Sequence, residues 1–247
     1  MVIKGLIFDI NGTLTDILTN EWHDDIYRIL SNLLSYQGIV LVPNEIKDSY
    51  FQIMKEQRAA SGERYPEFDA VDIFRKIITR NATDFTRSLS PEKLEQLPLL
   101  LAETHRAASR YRLQLYNGVE ETIKQLHPKY KLAIVSDGQT AYAAPELNAV
   151  GLVGIFDPVI ISGNFGFRKP DPRLFESALT IMQMKPPEVL YVCNDMYRDV
   201  YGAQKIGIKT VFFRSNQGQQ EKKGVQPDYI IYNFPELLNA VRFFEEG

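Results

Sequence analysis

Cysteine is nearly absent from this sequence, and so is any excess of basic charge. The 247 residues contain one cysteine, Cys193, which excludes an internal disulfide and fits a reducing compartment. Lysine and arginine number 28 against 31 acidic residues, so there is no basic surplus to bind nucleic acid by counterion release. No apolar run reaches the ~20 residues of a membrane span, and strand-like sequence from the second residue leaves no room for a signal peptide. We therefore expect a cytoplasmic protein that binds neither nucleic acid nor membrane.

Apolar residues are plentiful, and they are arranged as short β-rich runs. They make up 45% of the chain, which is enough for a substantial core. Six runs predict strands: VIKGLIFDI, KLAIVSD, DPVIIS, EVLYVCND, KTVFFR and DYIIYN. Nearly continuous apolar character is typical of strands covered on both faces, and helical patterns such as Gly118–His127 and Asp171–Met184 separate most of them. The alternation predicts an α/β fold with a doubly wound, Rossmann-like parallel sheet.

One interval interrupts this alternation. Residues 16–115 contain no convincing strand and instead show four helical patterns, which begin at Glu21, Pro43, Pro66 and Ser90. Pro98 falls inside the last pattern, where a proline can kink or divide a helix. An insert of this length predicts an α-helical cap domain of residues 16–115, with residues 1–15 and 116–247 forming the α/β core. Such a cap would lie over the carboxyl ends of the strands, where open α/β sheets bind ligands.

The first predicted strand ends in FDINGT. A carboxylate at a strand's carboxyl end, here Asp9, can project into a cleft and attack an electrophile when a turn follows it. Thr13 can offer its hydroxyl and backbone N–H to an anion. Taken alone, the motif fits a structural role equally well, because Asp9 can satisfy loop N–H groups and Asn-Gly is a common hairpin turn.

Two further polar motifs follow later strands. In AIVSDG, Ser136 ends a strand and can bind a phosphate oxygen together with the N–H groups of Asp137 and Gly138, although it fits equally as a helix N-cap. In FGFRKPDPRLF, Lys169 follows a glycine-rich loop and precedes a helix that begins near Asp171. A fixed ammonium there can neutralise an attacking carboxylate and an anionic substrate, whereas a solvated surface lysine is the ordinary alternative.

The fourth motif is VLYVCNDMYRDVYGA, which carries an acidic pair. Asp195 ends a strand, and Asp199 lies four residues on, one turn along if a helix starts between them. Paired carboxylates suit Mg²⁺, which takes oxygen ligands, waters and substrate phosphate. Acids also favour the first turn of a helix for purely structural reasons. An aspartate, a serine, a lysine and an acid pair at four strand ends would nevertheless converge on one edge of a parallel sheet.

These four motifs, in this order and over essentially the whole chain, resemble the haloacid dehalogenase-like hydrolase superfamily. The helical insert is similar to that superfamily's early-inserted α-helical cap. Most members are Mg²⁺-dependent phosphatases that work through an aspartyl phosphate, and a minority are metal-free dehalogenases, phosphonate hydrolases or phosphomutases. The resemblance therefore implies a hydrolase that acts on a small phosphorylated metabolite.

The resemblance also implies roles for individual residues. Asp9 matches the nucleophile, Ser136 the hydroxyl that binds the phosphoryl group, and Lys169 the charge-stabilising lysine. The implied substrate-binding set is Thr13, Ser136, Asp137, Gly138 and Lys169, and the implied Mg²⁺ set is Asp9, Asn11 through its carbonyl, Asp195 and Asp199. The register of the fourth motif is open, because Asn194 can occupy the first acidic position instead of Asp195.

Asn11 departs from the superfamily pattern, in which a second acid stands at this position. That acid protonates the leaving oxygen and later activates water, a contribution of roughly 10²–10⁴-fold, and an amide can do neither. Three interpretations follow: a phosphatase or phosphotransferase with weakened proton transfer, a dehalogenase that needs no such acid, or a non-catalytic phosphate-binding protein. Asp9, Asn11, Ser136 and Lys169 are the predicted catalytic positions.

The predicted cap offers only weak indications of specificity. Arg64, Tyr65 and Glu67 lie in a break between helices, where they can reach the cleft, and Trp22 with His23 follows the expected hinge. Ordinary packing or solvation accounts for each of these side chains as well. The substrate's identity and the oligomeric state stay open.

Overall fold

The computed structural model describes residues 2–246. The strands are β1 Gly5–Phe8, β2 Thr15–Thr19, β3 Arg110–Leu115, β4 Lys131–Ser136, β5 Val159–Ile161, β6 Val189–Cys193, β7 Lys209–Phe213 and β8 Tyr229–Ile231. The helices are α1 Asp24–Ser35, α2 Pro43–Ala60, α3 Ala70–Asn81, α4 Asp84–Arg87, α5 Pro91–Ser109, α6 Val119–Leu126, α7 Thr140–Ala149, α8 Pro172–Met182, α9 Tyr201–Gln204 and α10 Leu237–Glu246. Within these residues, no helix is both long and apolar enough to span a membrane.

A six-stranded parallel sheet forms the centre of the fold, and all six predicted strands belong to it. The strand order is β5-β4-β1-β6-β7-β8. Strands β4 and β5 therefore lie on one side of β1, and the chain then crosses over to place β6, β7 and β8 on the other side. The carboxyl ends of β1 and β6 therefore flank the switch point, where open α/β sheets bind ligands. The predicted α/β fold with a parallel sheet is confirmed.

Helices cover both faces of this sheet because its strands are apolar on both sides. In β1, Leu6 and Phe8 join the core that contains α6 and α10, whereas Ile7 joins the core that contains α8 and α9. The single cysteine, Cys193, is a buried member of the second core, as a small apolar filler would be. Near-complete burial explains why these strands read as continuous apolar runs rather than as alternating ones.

Helices α1, α2, α3 and α5 contribute nearly all of a third core. Its fully buried aromatic residues include Tyr27, Tyr50 and Phe74, and Tyr142 of α7 is its contribution from the α/β part of the chain. Pro43 and Pro91 stand at the first positions of α2 and α5, where a missing N–H costs no helical hydrogen bond. Helix α5 runs through Pro98 without dividing. The assignment of residues 16–115 to a separate cap domain stays a prediction.

The prediction that residues 16–115 contain no strand is wrong. Strands β2 and β3 pair antiparallel from Thr15 with Leu115 to Thr19 with Arg110, and they form a two-stranded ribbon at the base of the helical segment. Most of the β3 side chains are at least partly exposed, so the segment lacks the apolar character that marks the strands of the main sheet.

Candidate active site

The predicted catalytic side chains meet at the carboxyl ends of β1, β4 and β6. A cavity of about 380 Å³ opens there, and its lining includes Asp9, Asn11, Ser136 and Asn194. These residues come from three adjacent strand ends, as the sheet order requires. Gly12 supports this close approach, because its φ is +86° and a Cβ there would collide with the Asn194 side chain.

Lys169 lies beneath the cavity and connects two carboxylates. The residue is 3% exposed. Its ammonium donates to Asp9 Oδ1 at 2.7 Å, to Asp199 Oδ1 at 2.5 Å and to Tyr191 Oη at 3.0 Å. Burial opposes its charge, but the carboxylates of Asp199 and Asp9 outweigh that effect and raise the pKa of Lys169. The lysine is therefore a fixed, buried cation, not a solvated surface residue.

The two oxygens of the Asp9 carboxylate have different surroundings. Oδ1 accepts hydrogen bonds from Lys169 and from Ser136 Oγ, the latter at 2.9 Å. Within residues 2–246, the Thr13 hydroxyl is the only hydrogen-bond donor at Oδ2, at 3.4 Å, and that hydroxyl lies closer to Asn194 Oδ1, at 3.1 Å. Because one hydroxyl proton serves one acceptor at a time, Oδ2 retains lone pairs that can reach an electrophile.

Ser136 is not the N-cap of the helix that follows it. The residue in that position is Gln139, whose side chain makes no cap hydrogen bond and instead bonds to the backbone of Phe68 and Ala70. Ser136 Oγ donates to Asp9 Oδ1, and its role as the hydroxyl that binds the phosphoryl group stays a prediction. Asp137 and Gly138 also line the cavity, and Asp137 accepts the Lys169 N–H at 2.9 Å.

The predicted acid pair is engaged inside the protein. Asp195 accepts the backbone N–H groups of Tyr197, Arg198 and Gln219 and forms an ion pair with the Arg198 guanidinium at 2.9 Å. Asp199 lies between Lys169 and Tyr191, and burial, against the opposing charge of Lys169, raises its pKa to about 6. Neither side chain lines the cavity, whereas Asn194 does.

The donors at the cavity fit a weakly held Mg²⁺ only in part. Among residues 2–246, no three His, Cys, Asp or Glu side chains form a group that could hold a metal ion. At the ends of β1 and β6, the oxygens that line the cavity are those of the Asp9 carboxylate, of Asn11 and of Asn194. Mg²⁺ commonly uses one or two carboxylates and fills its remaining positions with waters and substrate phosphates. This donor set contains one carboxylate, which is the smallest number that Mg²⁺ sites commonly use.

Residues 65–68 of the helical segment lie at the cavity, and two of them form part of its wall. Two backbone hydrogen bonds of 2.9 Å, from Glu67 N to Gly166 O and from Arg168 N to Tyr65 O, connect this segment to the loop before Lys169. Glu67 and Phe68 line the cavity. The segment is therefore held against the loop that carries the buried lysine.

The other residues suggested for specificity do not line the cavity. The Arg64 guanidinium lies over the Tyr65 ring, the Trp22 ring stacks on Phe51, and His23 caps α1. Of the residues proposed for this role, Glu67 is the one that the structure brings into the cavity.

The cavity is also lined by a charged cluster that is not predicted from the sequence. Glu146 accepts hydrogen bonds from Arg106 at 2.7 Å and 3.2 Å, Glu21 lies 3.8 Å from the same guanidinium, and Tyr142 packs beneath it. The Tyr142 hydroxyl is buried and forms no hydrogen bond of good geometry. Arg106 and Glu146 are 40 residues apart on different helices, and no short motif joins them.

The chain is similar to known hydrolases in sequence and in fold. The family profile described as haloacid dehalogenase-like hydrolase matches residues 6–213. A pyrophosphatase named PpaX from Halalkalibacterium halodurans is 28% identical over 243 residues, which are 98% of each chain. A glyceraldehyde 3-phosphate phosphatase from Methanothermobacter thermautotrophicus is 26% identical over 91% of this chain and 92% of that protein. The solved structure of a 2-haloacid dehalogenase from Pseudomonas syringae has a TM-score of 0.69 and covers 98% of this chain and 99% of its own, but at 18% identity it shows the fold alone.

Proposed function

The chain belongs to the haloacid dehalogenase-like hydrolases, and we propose that it transfers the phosphoryl group of a small phosphorylated compound to Asp9. The observation that carries this proposal is the asymmetry of the Asp9 carboxylate, in which Lys169 and Ser136 hold Oδ1 and leave Oδ2 open to the cavity. Further support comes from the pyrophosphatase and the glyceraldehyde 3-phosphate phosphatase that this chain resembles over nearly its whole length.

In the proposed reaction, Asp9 Oδ2 attacks phosphorus and the leaving oxygen departs on the opposite side. Lys169 neutralises the negative charge that gathers as the carboxylate and the phosphate approach each other. Ser136 donates to Asp9 in the resting enzyme and can turn its hydroxyl to a phosphoryl oxygen. Asp199 and Tyr191 fix the ammonium from behind, so Asp199 acts by positioning Lys169.

We propose that a Mg²⁺ ion, when bound, is held by Asp9, Asn11 and Asn194 together with the substrate phosphate. It would supply positive charge that neutralises the phosphate. Asn194 takes the place first assigned to Asp195, because Asp195 is saturated by Arg198 and three backbone N–H groups. One carboxylate in the set implies weak binding.

Asn11 limits the proposed reaction at its proton transfers. The Asn11 side chain lines the cavity and accepts a hydrogen bond from Thr15 Oγ1 at 3.2 Å, but an amide neither gives nor takes a proton near neutral pH. Unless another group moves the proton, we expect compounds with good leaving groups to react faster and the aspartyl phosphate to be hydrolysed slowly.

The test compares wild type with Asp9→Asn on p-nitrophenyl phosphate and acetyl phosphate, each with Mg²⁺ and with a chelator. The proposal predicts turnover, or a single burst of product, that the Asp9 variant loses. Equal activity in both proteins would overturn it. Halide release from a 2-haloacid in the presence of chelator would favour the dehalogenase instead, since that reaction needs neither a leaving-group proton nor a metal.

A further inference from the structure

We propose that Glu67, contributed by the helical segment, performs the proton transfers that Asn11 cannot. This inference rests on the proposed phosphoryl transfer to Asp9. Glu67 lines the same cavity as Asp9 and Asn11, and it is 6% exposed. Because the attacking and leaving oxygens lie roughly in line, a leaving group displaced by Asp9 points away from the sheet, toward the wall that carries Glu67.

The backbone holds Glu67 in place. Its N–H donates to Gly166 O at 2.9 Å, and Pro66 and Phe167 form a β-bridge beside it. This segment is therefore connected to the same loop that delivers Lys169, two residues further on. The acid and the lysine are fixed relative to each other, as a proton donor and a charge-stabilising cation must be.

Glu67 differs from the other acids of the cavity in having no cationic partner. Five carboxyl groups line the cavity: Asp9, Glu21, Glu67, Asp137 and Glu146. Four of them have a lysine or arginine nitrogen within 4.0 Å, at Lys169, Arg106 and Arg168. Among residues 2–246, no such nitrogen lies within that distance of the Glu67 oxygens. A buried carboxyl without an ion pair has the least reason to stay ionised.

The partners of Glu67 can serve both of its protonation states. Ser162 Oγ lies 2.7 Å from Glu67 Oε2 and 3.3 Å from Gly138 O, and it accepts the Gly138 N–H at 2.9 Å. When Glu67 is ionised, the Ser162 hydroxyl donates to it. When Glu67 is protonated, that hydroxyl can turn to Gly138 O, so neither state leaves a buried polar group without a partner.

The charges around Glu67 favour a carboxyl that titrates closer to neutrality than usual. Burial raises its pKa, and the charge of Asp137 adds to that effect. The charge of Arg168 and the hydrogen bonds from Ser162 and the Phe68 N–H oppose it without reversing the direction. A general acid that must later act as a base works best when its pKa lies near the working pH.

The proton balance closes over the two steps. In the first, the Asp9 carboxylate forms an O–P bond, the P–OR bond breaks, and the Glu67 carboxyl gives its proton to the departing oxygen to release ROH. In the second, water attacks phosphorus, the Asp9–phosphate bond breaks with its electron pair returning to Asp9, and the Glu67 carboxylate takes the proton of that water. Inorganic phosphate leaves, and both side chains return to their starting states.

The test compares wild type, Glu67→Gln, Glu67→Asp and the control Glu63→Gln. Glu63 lies in the same loop but pairs with Arg173 outside the cavity. Glutamine keeps the size of Glu67 and its hydrogen bond from Ser162 but cannot titrate. Turnover and its pH profile are measured on p-nitrophenyl phosphate, which has a good leaving group, and on phenyl phosphate, which has a poorer one.

We expect Glu67→Gln to slow phenyl phosphate turnover about 10²-fold, to affect the release of p-nitrophenol in the first step much less, and to remove one limb of the pH profile. Glu67→Asp should recover part of the rate and that limb, and Glu63→Gln should match wild type. An equal loss on both substrates with an unchanged pH profile would show that Glu67 only anchors the segment, and would overturn the inference.

A second measurement does not depend on turnover. Infrared difference spectra of wild type against Glu67→Gln should show a protonated carboxyl band that disappears as the pH is raised. Absence of that band would overturn the inference. If this band is present but Asp9→Asn retains the activity of wild type, the proposed phosphoryl transfer fails and Glu67 remains a titrating cavity acid, so the two failures are distinguishable.

Discussion

Replacing Lys169 by methionine tests how the site handles its buried charge. The substitution keeps the length of the side chain but removes an ammonium that lies 2.7 Å from Asp9 and 2.5 Å from Asp199. Two buried carboxylates then face each other with only hydrogen bonds from Ser136, Tyr191 and backbone groups. Removing one partner of a buried ion pair commonly costs about 3–5 kcal/mol, a large part of a typical stability of about 5–15 kcal/mol.

The loss should depend on pH. Burial already raises the pKa of Asp199 to about 6 in the presence of Lys169, so removal of the cation raises it further above its unfolded value. A carboxyl whose pKa is higher in the folded state binds more protons there, so this contribution to stability falls as pH rises through the folded pKa. The stability deficit of Lys169→Met should therefore shrink on acidification below that pKa.

The assay combines urea unfolding with turnover for Lys169→Met and for the double variant Lys169→Met/Asp199→Asn. The double variant removes one of the two carboxylates left without a cation, and with it their mutual repulsion, so it should recover a large part of the lost unfolding free energy. Its turnover should stay low by about 10²–10³-fold, because the charge facing the phosphoryl group is still missing. Recovery of both stability and turnover would refute the role of Lys169 in the reaction.

The remaining predictions concern the two amides of the site and one buried histidine. Asn11→Asp keeps the hydrogen bond from Thr15 and adds a titratable group, so aryl phosphate turnover should rise by up to about 10²-fold. The rise should be larger when Glu67→Gln is also present. No rise in the single or the double variant would contradict the role given to Asn11. Asn194→Asp should tighten Mn²⁺ binding, whereas Asp195→Asn should leave it unchanged. Binding is measured by the decrease of the free-ion signal in electron paramagnetic resonance. Weaker Mn²⁺ binding in Asp195→Asn alone would show that Asp195 is the ligand. Burial, aided by the charge of Arg106, lowers the pKa of His105 from 6.5 to about 4. The unfolding free energy should therefore fall by up to about 3 kcal/mol as the pH drops through this interval. In urea unfolding at several pH values, His105→Phe should not show this dependence.

The sequence predicted the sheet and the residues at its strand ends because both depend on local signals. Continuous apolar runs mark strands buried on two faces. Asp9 directly follows such a run, Ser136 ends one, and Lys169 comes after one through a glycine-containing loop. Parallel strands bring their carboxyl ends to the same edge, so the chain order alone brought these residues together. The ribbon of β2 and β3 escaped prediction because its partners lie about 90 residues apart and β3 is largely exposed.

The orientation of the fourth motif could not be obtained from spacing. A π-helical turn at Met196–Val200 follows β6, and Asp195 caps it by accepting two backbone N–H groups. That geometry directs Asp195 to Arg198 and leaves Asn194 facing the cavity. A π turn carries an extra residue relative to an α-helix, so the four-residue spacing of Asp195 and Asp199 does not by itself show where the two side chains point. The absence of a cationic partner for Glu67 is likewise a property of the assembled cavity.

The proposed function requires that Asp9 becomes phosphorylated. Wild type is mixed with acetyl phosphate or p-nitrophenyl phosphate in the presence of Mg²⁺, quenched in acid, digested and analysed by mass spectrometry for the peptide that contains Asp9. We predict the mass of one phosphoryl group on that peptide in wild type, a larger fraction in Glu67→Gln, and none in Asp9→Asn. Turnover by wild type without any phosphorylated Asp9 peptide, in wild type and in Glu67→Gln alike, would contradict the account.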